Sequence, residues 1–364
     1  MPTNARHRIV LILPCCIGDV VLATATLHAL RRAYPNSEIT WAVGSWSRAV
    51  IERHPDLDAV LDTGKSALPV KSIGGFWRFV RRIRAGGFDI AVSLVRSPLM
   101  SLAVRLSAVP VRAGLDSGGR GFGYSVRVAV DPIQERHEAE IYLDVTRALG
   151  IDTSGCFAYV PVHEDDRLAA QEALGALEIR QPFAVINPAG GENPGMTLGA
   201  KRYPPEGLAV IIRGLQARGL KVIMVAGPND GVLVSAVQGQ IKHKFPLPEL
   251  VGTLNIRQIG ALASLSHVYI GNDTGLTHLA AASGARTVML MGPSSPRRYA
   301  PFTENSLALW KPAPVPVQGV VAGAPADWDW QRDGIEPEAA LAGILGFIDQ
   351  GSSGIPALPK ALGD

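Results

Sequence analysis

Short apolar runs alternate along this chain with longer segments whose apolar positions recur at helical spacing, which predicts strands alternating with helices. Ile9–Leu13 is the first such run. The loop PCCIGD (14–19) follows, and a helix is expected from about Val20 to Tyr34, with Arg31 and Arg32 in its last turn and Pro35 beyond. Glu38–Val43, Ala59–Leu61, Phe88–Leu94 and VRAGL (111–115) read as further strands. Gly75–Ala85 is a basic amphipathic helix: Phe76, Phe79, Val80 and Ile83 form one stripe, and Arg78, Arg81, Arg82 and Arg84 lie mostly outside it. Such a stripe suits a solvated helix packed on a sheet, with a membrane-surface role as the alternative. Another helix is expected over 99–109, a glycine-rich loop carrying Arg120 over Gly114–Gly123, and a helix over His137–Leu149 closed by Gly150.

Residues 151–181 read as a connector with one Ala/Leu-rich helix, and then the pattern restarts. PFAVINPAGG (182–191) is a strand running into a glycine loop, Arg202–Arg218 contains a helix, and KVIMVAG (221–227) is a strand followed by GPND. Val232–Gln240 and Ile256–Leu265 are helical, Glu249–Val251 is a short strand, and His267–Ile270 feeds the stretch GNDTGLTHLAAASGARTVMLMGP (271–293). That stretch reads as a strand end, a tight turn, a short helix stopped by Gly284, and a buried strand over Thr287–Met291. Residues 311–326 look like a loop, Pro337–Ile348 like a last helix, and the residues after Gly351 like a frayed tail. Two successive α/β halves imply two doubly wound, Rossmann-like domains facing a central cleft. The expected division is 1–170, 171–350 and a tail at 351–364.

Composition narrows the function classes. With 47% hydrophobic and 18% charged residues, the chain is globular rather than disordered. A net charge of +3 over 364 residues is too small for a dedicated nucleic-acid binder and fits an anionic substrate or an anionic membrane surface. RIVLIL is too short for a leader core or a membrane span, so a soluble or peripherally attached protein is expected. Adjacent Cys15 and Cys16 look poorly placed to pair with each other, and Cys156 adds no metal-ligand spacing, so a reducing cytoplasm is the simplest compartment.

No GxGxxG or GxxxxGK[ST] loop is present, which disfavours hydride transfer and P-loop chemistry. Four features remain. Asp19, after Gly18 at the head of the first strand, would face the cleft as a general base, or would cap the following helix. NPAGG (187–191), with Asn187, Gly190 and Gly191, allows close backbone approach to a ligand, and Lys201 in KRYP would neutralise a phosphate or be a solvated loop lysine. Asp230 in GPND would accept from ribose hydroxyls or serve the turn. Asp273, Thr274 and Gly275 sit where a turn becomes a helix, whose free amides and dipole attract an anion, with His278 one helical turn on. The bland alternative there is an ordinary capped strand-to-helix connection.

Taken together, IGDVVLATATLHALRRAYPNSEITWAVG (17–44), KRYP, GPND, the 271–293 stretch and SSPRRYAP (294–301) resemble the inverting glycosyltransferase family nine, over about residues 8 to 305. The resemblance implies a GT-B fold with no metal and no cofactor beyond a nucleotide-sugar co-substrate. It implies an acceptor-binding first domain and a nucleotide-sugar-binding second domain. The implied reaction moves a sugar, heptose from ADP-heptose, onto an anionic glycan or glycolipid such as a lipopolysaccharide core. Carried over by residue, it makes Asp19 the base and Lys201 its partner at the donor phosphates. Asn187, Gly190, Gly191, Asp230, Asp273, Thr274, Gly275 and His278 fall to the donor. Gly18, Arg96 and Arg120 fall to the acceptor side. The first loop lacks the basic residue and hydroxyls usual before Gly18–Asp19, so Arg96 or Arg120 is the candidate substitute. A cytoplasmic location, with peripheral contact at the inner face of the membrane and no nucleic-acid partner, goes with this reading. The alternatives are a nucleotide-sugar epimerase of the same shape and a catalytically degenerate nucleotide-sugar-binding protein.

Overall fold

The first apolar run is β1 (Arg8–Ile12), buried along all but its first residue. A strand covered by helices on both faces needs apolar side chains on both, which is why RIVLI does not alternate. The computed structural model describes residues 6–131, 134–180, 182–193, 196–241, 246–312 and 328–350. From β1 the chain runs through α1 (Ile17–Leu22), α2 (Thr24–Ala33), β2 (Glu38–Val43), α3 (Arg48–Ile51), β3 (Ala59–Asp62) and α4 (Ile73–Ala85). It continues through β4 (Ile90–Ser93), α5 (Pro98–Leu106), β5 (Val111–Asp116), β6 (Val126–Ala129) and α6 (Glu138–Arg147). These strands make one parallel six-stranded sheet in the order β3-β2-β1-β4-β5-β6. Leu27, Leu30 and Val145 pack α2 and α6 on one face, and Phe79, Ile83 and Met100 pack α4 and α5 on the other.

The second half repeats the plan: α7 (Glu164–Ala176), β7 (Phe183–Asn187), the small antiparallel pair β8 (Glu192–Asn193) and β9 (Met196–Thr197), α8 (Pro205–Ala217), β10 (Lys221–Ala226) and α9 (Gly231–Gln240). Then come β11 (Glu249–Val251), α10 (Ile256–Leu265), β12 (Val268–Asn272), α11 (Gly275–Ala282), β13 (Thr287–Leu290), α12 (Pro296–Tyr299), β14 (Ser306–Leu309), α13 (Trp330–Asp333) and α14 (Pro337–Gln350). The second sheet, β11-β10-β7-β12-β13-β14, is also all parallel. In both sheets the winding reverses beside the first strand, between β1 and β4 and between β7 and β12. The loops leaving those strands therefore flank a crevice at the carboxyl edge, where open α/β sheets bind ligands.

Several details depart from the pattern. The expected helix from Val20 to Tyr34 is two helices, broken at Ala23, and the first starts at Ile17. The edge strands β6 and β14 have no counterpart among the expected elements. A boundary at residue 170 falls inside α7, whose Ala170 and Leu174 share a core with Phe183 and Leu262, so the chain has already reached the second domain by Glu164. Cys15 and Cys16 are joined by a disulfide, against the expectation that they are poorly placed to pair. The peptide between them is cis, and their Cα atoms lie 3.0 Å apart instead of the roughly 3.8 Å of a trans link. Most of the 311–326 loop and the whole 351–364 tail lie outside the described residues. Among the described residues, no helix is long and apolar enough to cross a membrane.

The two domains share a packed seam. Leu279 and Ala282 of α11 are buried in the same cluster as Val21, Leu22 and Tyr142 of the first domain. The connecting strand of chain is fastened to both sides: Tyr159 N donates to Thr24 Oγ1 (2.9 Å) and Val160 N to Ala282 O (2.9 Å). Leu279→Ala would leave a cavity across this seam and should lower stability by about 2–5 kcal/mol, read as a fall in the urea midpoint with the slope unchanged.

Candidate active site

A cavity of about 540 Å³ lies between the facing carboxyl edges. The first domain supplies one wall through Cys16, Ile17, Gly18, Asp19 and Trp46. The second domain supplies the other through Asn187, Ala189–Gly191, Lys201, Gly227–Asp230, Asp273–Leu276, His278 and Ser294–Ser295, with Arg298 and Tyr299.

Asp19 is the third residue of α1 and is held from two sides. Tyr142 Oη on α6 donates to its Oδ1 at 2.8 Å, and the Cys16 amide donates to its Oδ2 at 3.3 Å. The second contact is a helix-capping one, so the capping and cleft-facing readings of Asp19 both describe it. Asp19 keeps some exposed surface at the cleft yet lies deep among protein atoms. Burial, aided by the nearby Glu138 charge, pushes its carboxyl above the usual carboxylate range, against the lowering effect of those hydrogen bonds and of Arg96.

On the opposite wall, Lys201 Nζ lies 2.7 Å from Asp273 Oδ2. Asp273 is 6% exposed. Burial works against its ionisation, but Lys201 and His278 beside it hold its carboxyl below the usual range. Thr274 caps α11, and the first amides of this helix have no intrahelical acceptor, which makes its start a place for negative charge. His278 Nε2 is 4.0 Å from Asp273 Oδ1, and its Nδ1 is buried without a hydrogen-bond partner among the described residues. Burial lowers its pKa to about 4, so the imidazole is neutral at pH 7.

Gly190 and Gly275 are steric requirements, and Gly18 sits in a tight contact. At Gly190 (φ 131°) a Cβ would fall 1.9 Å from Thr274 Cγ2. At Gly275 it would fall 2.5 Å from Ile17 Cγ2, and at Gly18 it would fall 3.1 Å from His278 Cδ2. Asn187 works as a brace: its Oδ1 accepts from Ala189 N (2.8 Å) and its Nδ2 donates to Tyr269 Oη (3.1 Å). Asp230 begins α9 at the cavity wall, and burial together with the Glu192 charge raises its carboxyl above the usual range.

Two expected residues stand elsewhere. Arg96 is outside the cavity lining and is ion-paired to the buried Glu138 at 2.6 Å. Arg120 is exposed in the loop after β5, also outside the lining. The arginine that lines the cavity, beside Lys201, is Arg298, which donates to Glu138 Oε1 at 2.8 Å across the seam. Arg298, Tyr299, Glu138 and Tyr142 were not singled out from the sequence. SSPRRYAP carried Arg298 and Tyr299 in plain view, whereas nothing local marks Glu138 or Tyr142, which matter only once α6 packs beside α1.

This geometry agrees with what known proteins show. The sequence model described as Glycosyltransferase family 9 (heptosyltransferase) matches residues 76–317. The chain belongs to glycosyltransferase family 9. Among curated relatives of this family 9 enzyme, lipopolysaccharide heptosyltransferase 3 of Escherichia coli K12 is 24% identical over 298 residues, covering 80% of this chain and 85% of the relative. The structure of a family 9 glycosyltransferase from Veillonella parvula superposes with a TM-score of 0.77 at 23% identity, covering 96% of this chain and 99% of that one. E. coli ADP-heptose lps heptosyltransferase II superposes at 0.73 and 19% identity, with 95% and 99% covered. The fold is therefore GT-B, two doubly wound domains about a cleft, and this family 9 chain is a glycosyltransferase.

The neutral His278 has a pH signature. Unfolded, its imidazole takes up a proton near pH 6.5; folded, it resists until about pH 4. Between these values the unfolded chain binds more protons, so this residue makes stability fall as pH falls from 6.5 to 4. Chemical-denaturation midpoints measured across that window should decline in the wild type and decline less in His278→Gln.

Proposed function

We propose that this chain catalyses inverting, metal-independent transfer of heptose from ADP-heptose to a sugar hydroxyl of a lipopolysaccharide core. The names of the relatives support the sugar and the acceptor class. The observation that carries the chemistry is the placement of the Asp19 carboxylate across one cavity from Lys201 and the start of α11.

In this reading the acceptor hydroxyl gives its proton to Asp19 as its oxygen bonds to the anomeric carbon. The bond from that carbon to the diphosphate breaks on the opposite face, and ADP leaves with the negative charge. Lys201, Arg298 and the α11 amides meet that charge. One helix start contributes about 0.3–1 kcal/mol when exposed and up to about 2 when partly buried. That falls well short of the roughly 8 kcal/mol or more by which enzymes lower barriers, so most of the effect must come from holding the two substrates in line across the seam. The acceptor of such a reaction is lipid-anchored, which puts the enzyme in the cytoplasm, in peripheral contact with the inner face of the membrane.

Asp19→Asn keeps the shape of the side chain and removes the base. Transfer should drop by about 10²–10⁴-fold while the melting temperature and donor affinity persist, and near-normal turnover by a folded variant would refute the assignment. The wild-type rate should also fall as pH drops through a midpoint above the ordinary Asp value of 3.8, since the reactive form is the carboxylate and its pKa is raised.

In a thermal-shift panel of sugar nucleotides, ADP-heptose at 100 times its dissociation constant should add about 2.7 kcal/mol of stability. A shift with a different donor and none with ADP-heptose would reject the donor. An altered sugar nucleotide formed without any acceptor would mark an epimerase instead.

A further inference from the structure

We propose that the carboxyl-edge rim of the first domain, built from the first turns of α4 and α5 and the loop after β5, docks on an anionic phospholipid surface. This deepens the preceding reading, since it rests on an acceptor that is lipid-anchored. Large apolar side chains stand in water along this rim: Ile73 is 83% exposed, Trp77 49%, Leu99 43% and Phe122 39%. They belong together in space. α4 and α5 lie side by side on one face of the sheet, sharing the core of Phe79, Val80, Met100 and Val104. α5 follows β4 by a four-residue loop and α4 follows β3 by a ten-residue loop. Each helix runs back toward the start of the next parallel strand, so its first residues, Ile73, Trp77 and Leu99 among them, lie toward the same edge as Asp19. The loop bearing Phe122 is tied to α5 by the Gly123 amide, which donates to Ser101 Oγ at 3.4 Å.

Charge selects the occupant. Between Thr63 and Arg127 the sequence has eleven Lys and Arg against two Asp and no Glu, an excess of nine, whereas the whole chain carries only +3. Lys65, Lys71, Arg78, Arg81 and Arg120 are all exposed. Of the two acids, Asp89 lies at the opposite edge of the sheet, where it accepts from the Arg8 amide, and Asp116 accepts from the Gly121 amide. A rim that exposes Lys65, Lys71, Arg78, Arg81 and Arg120 repels a second copy of itself, while aromatic and aliphatic tips set among these cations match a layer of phosphates over hydrocarbon. Docked this way, the membrane lies beside the mouth of the cleft, where the headgroup of a lipid-linked acceptor can reach Asp19.

The test uses the full-length protein and vesicles containing no acceptor, either pure phosphatidylcholine or an equimolar mixture of phosphatidylcholine and phosphatidylglycerol. The protein should co-sediment with the mixed vesicles and not with phosphatidylcholine, and high salt should release it. Arg78→Glu with Arg81→Glu should lower the partition coefficient on the order of 25-fold or more, at about fivefold per arginine. Ile73→Ser with Trp77→Ala should lower it too, and Trp77→Phe should restore most of it. All four positions are exposed, so melting temperatures should be unchanged. Equal partitioning of wild type and variants, no partitioning at all, or self-association through these residues in place of vesicle binding would each overturn the proposal. Transfer assays separate it from the function itself. The charge-reversed variant should keep wild-type kcat/KM on a water-soluble acceptor and lose rate only on the vesicle-embedded one. A wild type that binds vesicles but transfers no sugar would overturn the transferase reading alone.

Discussion

The close approach of α1 to α11 is the contact on which the site depends. The two helices come from different domains, yet Ile17 packs against Gly275 with no room for a side chain there, and a Cβ on Gly18 would press on His278 at 3.1 Å. Interior packing leaves few voids, so removing a Cβ is the direct way to bring two backbones together. The consequence is positional. The residue after Gly18 is Asp19, and the residues before and at Gly275 are the free end of α11. The proposed general base and the proposed anion site are thus set opposite each other by a contact that has nothing chemical in it. Leu279 and Ala282 extend the same contact into the core of the first domain, so the relative placement of the walls is tied to burial of apolar surface.

Charge at the seam is organised around this contact. Glu138 is 1% exposed and lies between Arg96 of its own domain and Arg298 of the other. A carboxylate so deeply buried is tolerable only when paired, and here its second partner comes from across the cleft. Its negative charge also acts on Asp19, adding to burial in raising that carboxyl. Tyr142 and the Cys16 amide oppose the shift. The proton affinity of Asp19 is therefore set by its burial and by Glu138, Tyr142, Cys16 and Arg96 of its own domain.

The sequence made the inner strands and the chemistry-bearing turns legible, and for a common reason. β1, β7 and β12 are covered on both faces and so appear as unbroken apolar runs, and the turns after them carry glycines and capping residues whose spacing is local. The outer strands were not legible. VRVA of β6 and SLAL of β14 are four residues each, partly exposed, and short enough to pass for loop. The break at Ala23 was hidden because both helices keep their apolar face toward the same core. In the site, Asp19, Lys201 and the 273–278 turn share the cavity: Asp19 and the turn follow β1 and β12 at their carboxyl ends, and Lys201 stands in the loop that leads into α8. Charge and chain position alone point to Arg96 and Arg120, and an arginine's reach and partners are decided by tertiary neighbours. Glu138 took Arg96, and no strand end carries Arg120 to the cleft.

The cations of the cleft do not stand alone. Lys201 is paired with Asp273 and Arg298 with Glu138, and the loop after β1 brings a Cys15–Cys16 disulfide and no charge. A diphosphate entering here meets cations already compensated by carboxylates, so attraction at long range is weaker than a tally of basic residues suggests. What remains uncompensated is the start of α11, whose amides have fixed direction and lose no side-chain entropy on binding. Lysine and arginine, each carrying several donors, can keep their carboxylates and still offer hydrogen atoms to a phosphate. Such a cleft selects by geometry: an anion gains most where the helix amides, the Lys201 ammonium and the Arg298 guanidinium converge. That convergence exists only because Gly18 and Gly275 let the two domains touch.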